Sequence, residues 1–299
     1  MIDYFYLFLY KTFSFLLKIT PNKIRIYLMK KLGGLLYFLS KKHQKIIDAN
    51  LDFAYDNKLS SREKKDIGIA AFTNMIDSVF SIVKLDWMSK DELIENVSFE
   101  GEEIINSYIA EGRQFILVTG HYGNWELLSQ SIAIYFNLPL VGVGRKLDSD
   151  LMDKVLKENR QKFNAEMVYK NGAMKGCIKA INQKKIVGIL IDQSLSKEQS
   201  VDVDFFNHKT TQTPITSILS RKFGLDMIPA YISTDDYLNY TVKIYPPIKS
   251  LKTEDQEKDL LFLSQAQSDT IEEMIKTNPK QWFWLHKRWK AYDSKIYER

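Results

Sequence analysis

The residue types best suited to chemistry lie together at positions 119–126, which read Thr-Gly-His-Tyr-Gly-Asn-Trp-Glu. The segment follows an apolar run at 114–119 that is typical of a buried strand, and a helical pattern begins near its end. On one continuous helix His121 and Glu126 would not share a face, because a five-residue step leaves a net rotation of roughly 140°. A glycine-containing turn that holds His121, followed by a helix starting near Glu126, can bring the two side chains together. We therefore predict that His121 is a general base and that Glu126 is its carboxylate partner.

This pair suits the transfer of a group to an alcohol. A neutral imidazole takes the proton of an attacking hydroxyl, and a carboxylate on the other ring nitrogen stabilises the imidazolium that forms. No serine or cysteine lies in the turn, so we expect the acceptor hydroxyl to attack directly. The four histidines of the chain lack the clustered spacing of metal ligands, so we predict neither a metal nor a cofactor. A purely structural histidine is the alternative.

Strand and helix patterns alternate from residue 97 to residue 276. Continuous apolar runs at 114–119 and 186–191 are typical of strands buried on both faces. The pattern predicts an α/β fold with a mixed, partly parallel central sheet flanked by helices. Functional sites of such sheets gather where strands end, which draws attention to Asp192 and Gln193 directly after the second run.

The amino-terminal end combines apolar and basic residues. Residues 1–17 are interrupted only by Asp3 and Lys11, and residues 1–45 hold nine basic residues against one acid, so this segment is +8 and the remainder is −3. The combination indicates an anionic membrane surface and not nucleic acid. We predict membrane-associated helices at 1–45 and a catalytic domain at 46–299, with a core helix at the amino terminus as the alternative. The single cysteine fits a reducing compartment such as the cytoplasm.

Several segments together carry a family resemblance. The stretch His-Tyr-Gly-Asn-Trp-Glu resembles the His-x-x-x-x-Asp/Glu motif of the glycerolipid acyltransferase superfamily, and more closely that of the bacterial lipid A late acyltransferases. Six further positions or segments resemble family motifs in the same order: Asn50-Leu51, Arg145, Arg160, Ile191-Asp192-Gln193, Val203–Phe206 and Pro279–Trp289. The sequence departs from the family pattern at Asn207, where glycine is usual, and at Lys287, where arginine is usual.

The resemblance implies a lipid A biosynthesis acyltransferase at the cytoplasmic face of the inner membrane, with residues 46–299 as its acyltransferase domain. The implied donor is acyl carrier protein, and the implied acceptor is a hydroxyl on a 3-hydroxyacyl chain of a lipid A precursor. Basic residues near the carboxy terminus are candidates for meeting the acidic donor: Lys287, Arg288 and Lys290. The expected substrate-binding residues are Gly123, Asn124, Arg145, Arg160, Asp192 and Gln193.

Three other functions remain open on the sequence. The first is an acyltransferase that acts on another membrane lipid. The second is an esterase or thioesterase that uses water in place of the lipid alcohol. The third is a peripheral membrane protein without enzymatic activity. The tryptophan-rich carboxy-terminal segment is likewise either a packed element of the core or an interfacial belt of aromatic and basic residues.

Overall fold

The computed structural model describes residues 2–298. Five helices come first along the chain: α1 (Ile2–Ile19), α2 (Asn22–Leu39), α3 (Lys41–Ala54), α4 (Ser61–Lys84) and α5 (Lys90–Ile94). Pro21 separates the first two helices, as expected for a residue that cannot continue a helix. A capping box between Ser60 and Glu63 starts α4.

Helix α4 is the centre of the helical part. It is the one described helix long and apolar enough to cross a membrane, but 72% of its apolar window is buried inside the protein, so it serves as a core helix here. Helix α2 packs along it at Gly33, where an added Cβ would lie 2.2 Å from Thr73 Oγ1. By contrast, α1 buries only Ser14 and Leu17, so it is not a core helix.

The rest of the chain alternates strands and helices, as the sequence predicts. The strands are β1 (Val97–Glu100), β2 (Phe115–Thr119), β3 (Leu140–Gly144), β4 (Ala165–Tyr169), β5 (Ile186–Leu190), β6 (Val201–Phe205), β7 (His208–Gln212), β8 (Asp226–Ser233) and β9 (Tyr240–Ile244). The helices are α6 (Glu102–Ala110), α7 (Trp125–Tyr135), α8 (Asp150–Arg160), α9 (Ala173–Asn182), α10 (Ile215–Phe223) and α11 (Gln256–Thr277).

Seven strands form one sheet in the order β1-β9-β8-β2-β5-β3-β4. All neighbours are parallel except β8 and β9, which are antiparallel. Strands β6 and β7 form a separate antiparallel hairpin. The predicted mixed, partly parallel sheet flanked by helices is therefore confirmed, and most of its strand pairs are parallel.

Strand β2 shows that both faces of the sheet are covered. Its Phe115 and Leu117 pack into a cluster with residues of α7, whereas Ile116 and Val118 pack into a second cluster with residues of α9, α10 and α11. Burial on both faces explains why β2 and β5 are apolar throughout. The parallel pairing of Thr119 with Leu190 brings the carboxyl ends of β2 and β5 side by side.

Candidate active site

His121 and Asp192 meet where two neighbouring strands end. Each lies two residues beyond its strand, His121 after β2 and Asp192 after β5. His121 Nδ1 lies 2.8 Å from Asp192 Oδ1, and the His121 backbone N–H donates to Asp192 Oδ2 at 2.8 Å. One carboxylate therefore positions both the ring and the backbone of the predicted base.

Asp192 is an ionised group inside the protein. Its side chain is 3% exposed, and its Oδ2 also accepts a hydrogen bond from Trp282 Nε1 at 2.8 Å. Burial alone would raise its pKa, but the charge of His121 and the hydrogen bonds from His121 and Trp282 outweigh burial and hold the pKa well below its usual range. An ionised Asp192 accepts the Nδ1–H of His121, so the Nε2 lone pair of the ring is left for a substrate.

Glu126 has a different partner from the one expected. It accepts hydrogen bonds from Arg160 Nε at 2.9 Å and from Arg160 Nη2. The Glu126 carboxylate is not hydrogen-bonded to the His121 ring. The expectation that Glu126 holds the His121 ring is therefore wrong, because Asp192 occupies that position. Burial lowers the pKa of Arg160, but the charge and hydrogen bonds of Glu126 outweigh it and raise the pKa overall.

Breaking the Glu126–Arg160 ion pair should destabilise the protein in a coupled way. The two side chains are only 13% and 23% exposed. We expect Glu126→Gln and Arg160→Gln each to cost about 1–3 kcal/mol, because each leaves a charged partner poorly satisfied. The double variant should lose less free energy of unfolding than the two single variants together. The difference, which is the coupling energy of a double-mutant cycle, should be about 0.5–3 kcal/mol when measured by denaturant unfolding.

The same helix supplies a matched control for that cycle. Lys154 and Glu158 face each other on α8 at 3.9 Å, with side chains 73% and 64% exposed. Solvent screening should reduce their coupling to a few tenths of a kcal/mol, about 0.3. Additive losses at Glu126 and Arg160, like those of the exposed pair, would show that the buried contact does not act as a unit.

The carboxy-terminal segment forms the support of the histidine turn. The Phe283 N–H donates to the His121 carbonyl at 2.9 Å, and the Gly123 N–H donates to the Gln281 carbonyl at 2.8 Å. Trp282, Trp284 and Trp289 are at most 1% exposed. Between the two alternatives for this segment, the structure selects the packed element and excludes an interfacial belt.

Two residues expected to bind substrate have structural roles instead. Gly123 is buried with φ +56°, and an added Cβ would lie 2.0 Å from the Ile232 carbonyl oxygen, so glycine is required by the turn. Asn124 is fully buried, caps α7 through Leu127 N–H, and donates to Asp77 Oδ2 at 2.7 Å. Neither residue therefore offers a side-chain group to a ligand.

Three backbone amides of the turn are also occupied. The N–H of His121 donates to Asp192, that of Tyr122 to the Gly120 carbonyl, and that of Gly123 to the Gln281 carbonyl. These three amides are therefore not free to stabilise an oxyanion.

Three of the remaining predicted site residues surround the base in different ways. Gln193 is exposed and places its Nε2 at 3.3 Å from His121 Nε2, so its amide contacts the reactive nitrogen. Asp192, in contrast, is buried behind the ring and is a positioning residue, which corrects its assignment to substrate binding. Arg145 is 84% exposed and lines the same cavity as His121 and Arg160.

A cavity of about 320 Å³ opens beside the histidine. It lies between the sheet and α7 and α8. At the carboxyl edge of the sheet its lining includes His121, Glu126, Arg145 and Arg160, and we call this part the polar end of the cavity. The apolar part is lined by Leu117, Leu128, Leu140, Val143, Leu156, Met167 and Leu190, with Gly142 and Gly188 in the strands. Such a lining suits a hydrocarbon chain whose reactive end meets the base.

Sequence reasoning missed Trp282 as a functional residue. Its indole N–H fixes the carboxylate that fixes His121, although it lies 90 positions away from Asp192 in the chain. The resemblance marked the segment that contains Trp282 but not its task. The sequence did carry a signal for the contact between His121 and Asp192. Two similar apolar strands are each followed, after two residues, by a polar side chain.

Comparison with known proteins gives one consistent result. A family model described as bacterial lipid A biosynthesis acyltransferase matches residues 1–291. A lipid A biosynthesis acyltransferase of Haemophilus influenzae is 24% identical over 277 residues, covering 91% of this chain and 84% of the relative. In Escherichia coli, a lipid A biosynthesis lauroyltransferase is 26% identical, covering 87% of this chain and 83% of the relative. A palmitoleoyltransferase of the same organism is 22% identical, with 91% and 86% covered.

Proposed function

Because the chain belongs to the bacterial lipid A biosynthesis acyltransferase family, we propose that it moves a fatty acyl chain from acyl carrier protein to a lipid A precursor. The chain is an acyltransferase, and the acceptor we infer is the hydroxyl of a 3-hydroxyacyl chain on that precursor. The observation that carries the proposal is the His121–Asp192 pair at the polar end of an apolar cavity.

The reaction begins with proton transfer to His121. Its Nε2 removes the proton of the acceptor hydroxyl, and the alkoxide oxygen attacks the carbonyl carbon of the acyl thioester. The tetrahedral intermediate then collapses, the carbon–sulfur bond breaks, and the thiolate takes the proton from the imidazolium. The products are a new ester and a free thiol, and His121 returns to its neutral form. Asp192 holds the ring throughout and stabilises the imidazolium.

The oxyanion of the intermediate is stabilised by side chains in this proposal. When the acceptor hydroxyl takes its place beside His121 Nε2, the Gln193 amide is released to donate to the oxyanion. Arg160 adds a positive charge at the polar end of the cavity, and Glu126 fixes its orientation. Glu126 therefore belongs to the catalytic end of the cavity through Arg160 and not through His121.

In this proposal the acyl donor approaches from the polar end of the cavity. Arg145 is exposed there and suits a phosphate or an acidic partner. Of the three carboxy-terminal candidates for meeting acyl carrier protein, Arg288 is fully buried and donates to the Thr211 carbonyl. That burial excludes Arg288 as a docking residue and leaves Lys287 and Lys290 as the candidates from that group.

The helices of residues 1–45 rest on the cytoplasmic face of the inner membrane in our proposal. Most of the exposed large apolar side chains of the protein lie on α1 and α2, including Phe8, Phe15 and Leu28. Exposed lysines accompany them, namely Lys18, Lys23, Lys30 and Lys31. Exposed apolar rings beside basic groups suit an anionic bilayer surface, and the same surface delivers the acceptor lipid.

Charged substitutions on α1 should release the protein from membranes. We expect Phe8→Glu with Phe15→Glu to weaken binding to phosphatidylglycerol vesicles at least tenfold. Each substitution removes the free energy of transferring one aromatic ring from water into the bilayer, about 1.5–3 kcal/mol. Cosedimentation measures the bound fraction. The control is Leu261→Glu with Phe262→Glu, which changes two exposed apolar residues on α11. Equal losses in both variants would contradict docking through α1.

The acyl-transfer reaction itself is tested with the full-length protein in a nonionic detergent. Acyl chains labelled on acyl carrier protein are supplied together with a purified lipid A precursor, and mass spectrometry identifies the products. The proposal predicts precursor carrying one additional ester-linked acyl chain. Free fatty acid without precursor acylation would instead indicate a thioesterase, and acylation of a phospholipid alone would indicate another acceptor.

Enlarging a strand glycine should shorten the preferred acyl chain. Gly142 lines the cavity, and an added Cβ there meets no atom nearer than 4.0 Å, so a larger residue points into free space. We expect Gly142→Leu to lower, by about tenfold, the ratio of kcat/KM for a longer donor to kcat/KM for a donor two methylenes shorter. Each methylene of the longer chain that is left unburied costs about 0.8 kcal/mol. The control Gly34→Leu, on α2 with no atom within 4 Å of an added Cβ, should leave the ratio unchanged.

A further inference from the structure

A second cavity lies on the other side of Glu126 from the histidine. Its volume is about 410 Å³, and it is enclosed by the α1–α2 turn, the carboxyl end of α4 and α7. Arg25 and Lys84 line its interior, and the exposed Lys18 lies on its rim. Because Glu126 borders both cavities, the Glu126–Arg160 pair forms part of the wall between them.

The acidic side chains of this cavity are mostly occupied by other groups. Asp77 accepts from Asn124 and Tyr240, Glu92 accepts from the Ser89 cap, and Glu126 accepts from Arg160. Glu95 also lines the cavity, but it is exposed at the surface. None of these carboxylates forms an ion pair with Lys84.

The Lys84 ammonium group makes no hydrogen bond or ion pair within residues 2–298, whereas the Lys84 carbonyl accepts from the Trp87 and Met88 N–H groups. Burial lowers its pKa, the charge of Asp77 opposes that effect, and the charge of Arg25 lowers the pKa further. Arg25 is held in place by donating to the Leu17 carbonyl at 3.0 Å and to Asn22. Two cations thus line one cavity, and an anion between them would relieve their repulsion and desolvation.

Two more polar atoms of the cavity are buried without a partner in the described part of the chain. Trp87 Nε1 is a donor, and Gln130 Oε1 is an acceptor. A buried polar atom without a partner is energetically unfavourable, so these atoms indicate an occupant with hydrogen-bonding capacity. Such an occupant must accept hydrogen bonds from cations and an indole N–H, and it must donate one to an amide oxygen.

We propose that this cavity binds a phosphomonoester group, held by Lys84, Arg25 and the Trp87 indole N–H. The phosphate oxygens accept from the three donors, while a phosphate O–H or an adjoining hydroxyl donates to Gln130 Oε1. The α1–α2 turn, which lines the cavity, also carries the exposed Ile19 and Ile24, and these suit the apolar chains of an amphipathic molecule with a phosphorylated headgroup. This site does not depend on the acyl-transfer reaction.

Calorimetric titration of the full-length protein in a nonionic detergent tests the proposal. The probes are dihexanoyl phosphatidic acid, which carries a phosphomonoester, inorganic phosphate, and dihexanoyl phosphatidylcholine, which carries none. We expect saturable binding of the phosphomonoester lipid and no saturable binding of the choline lipid. Inorganic phosphate that binds as tightly as the lipid would support the site and assign it to a soluble phosphate, whereas tighter lipid binding assigns it to a headgroup.

Variants locate the binding. Lys84→Gln should raise the Kd of phosphatidic acid at least tenfold, whereas Lys23→Gln, an exposed lysine on α2 outside the cavity, should leave it within twofold. His121→Ala should bind as the wild type does, which separates this site from the acyl-transfer mechanism. Trp87→Phe removes only the indole N–H and should raise the Kd about threefold, so it decides the matter if Lys84→Gln does not fold. Two results overturn the proposal: unchanged affinity in folded Lys84→Gln and Trp87→Phe proteins, or no saturable binding of either phosphate probe by the wild type.

Discussion

Replacing His121 with alanine removes acyl transfer almost completely and leaves the fold intact. We expect kcat to fall by roughly 10³- to 10⁴-fold, the upper range for loss of a positioned general base. The turn should survive because its hydrogen bonds use the backbone of residue 121: the N–H donates to Asp192, and the carbonyl accepts from Phe283. Asp192 also keeps the hydrogen bond from Trp282. The measurement is single-turnover acyl transfer from acyl carrier protein to the lipid precursor.

A matched control separates the loss of the base from the loss of a histidine. His43 lies on α3, where its Nδ1 is 2.7 Å from the Ser40 hydroxyl, and it does not line the cavity. His43→Ala should keep nearly full activity. Circular dichroism should give the same helix content for both variants. A His121→Ala protein that is folded and retains more than about a tenth of wild-type turnover would exclude His121 as the base, since proton transfer contributes at least about 10².

Replacing Asp192 with asparagine should be nearly as damaging, although it removes no atom of the base. Asp192 Oδ2 accepts from the His121 N–H and from Trp282, so the asparagine oxygen will occupy that position. Its NH₂ group then faces His121 Nδ1, where the carboxylate oxygen stood at 2.8 Å. An amide donor at this point forces Nδ1 to accept and moves the ring proton to Nε2. The base then presents a proton to the substrate, and kcat should fall by about 10³- to 10⁴-fold.

The comparison with Glu126 makes this prediction specific. Glu126→Gln leaves Asp192 on the ring and disturbs Arg160 instead, so its effect on kcat should be smaller than that of Asp192→Asn. Asp66→Asn, at an exposed position on α4, is the control for the loss of a charge. If Glu126→Gln abolishes turnover while Asp192→Asn stays within tenfold of the wild type, the assignment of the two carboxylates is reversed.

Local patterns were enough to predict the elements of this fold. Period and composition predicted strands at 114–119 and 186–191, within one residue of the observed bounds, and a helix starting near Glu126, where α7 begins at Trp125. These signals are reliable because a strand buried on both faces must be apolar throughout, and a helix must keep its apolar stripe. The position of His121 in a turn between β2 and α7 followed from the same local information.

The partner of His121 depended on strand order, which local patterns do not contain. Glu126 is near His121 in the chain, yet the first turn of α7 directs it to Arg160 on α8. Asp192 is 71 positions from His121, yet it adjoins the ring because β5 lies beside β2 in the sheet. Sequence distance therefore favoured the wrong carboxylate, and only the assembled sheet identified the right one.

The chain ends show the same division between sequence and tertiary structure. The sequence by itself determined an apolar, basic amino terminus and a tryptophan-rich carboxy terminus, together with the resemblance that the family match confirms. The tertiary structure decided which of the two is buried. The tryptophans pack beneath the histidine turn, whereas α1 keeps most of its apolar rings exposed. Composition states how much apolar surface a segment carries, but its burial depends on which other elements are close enough to cover it.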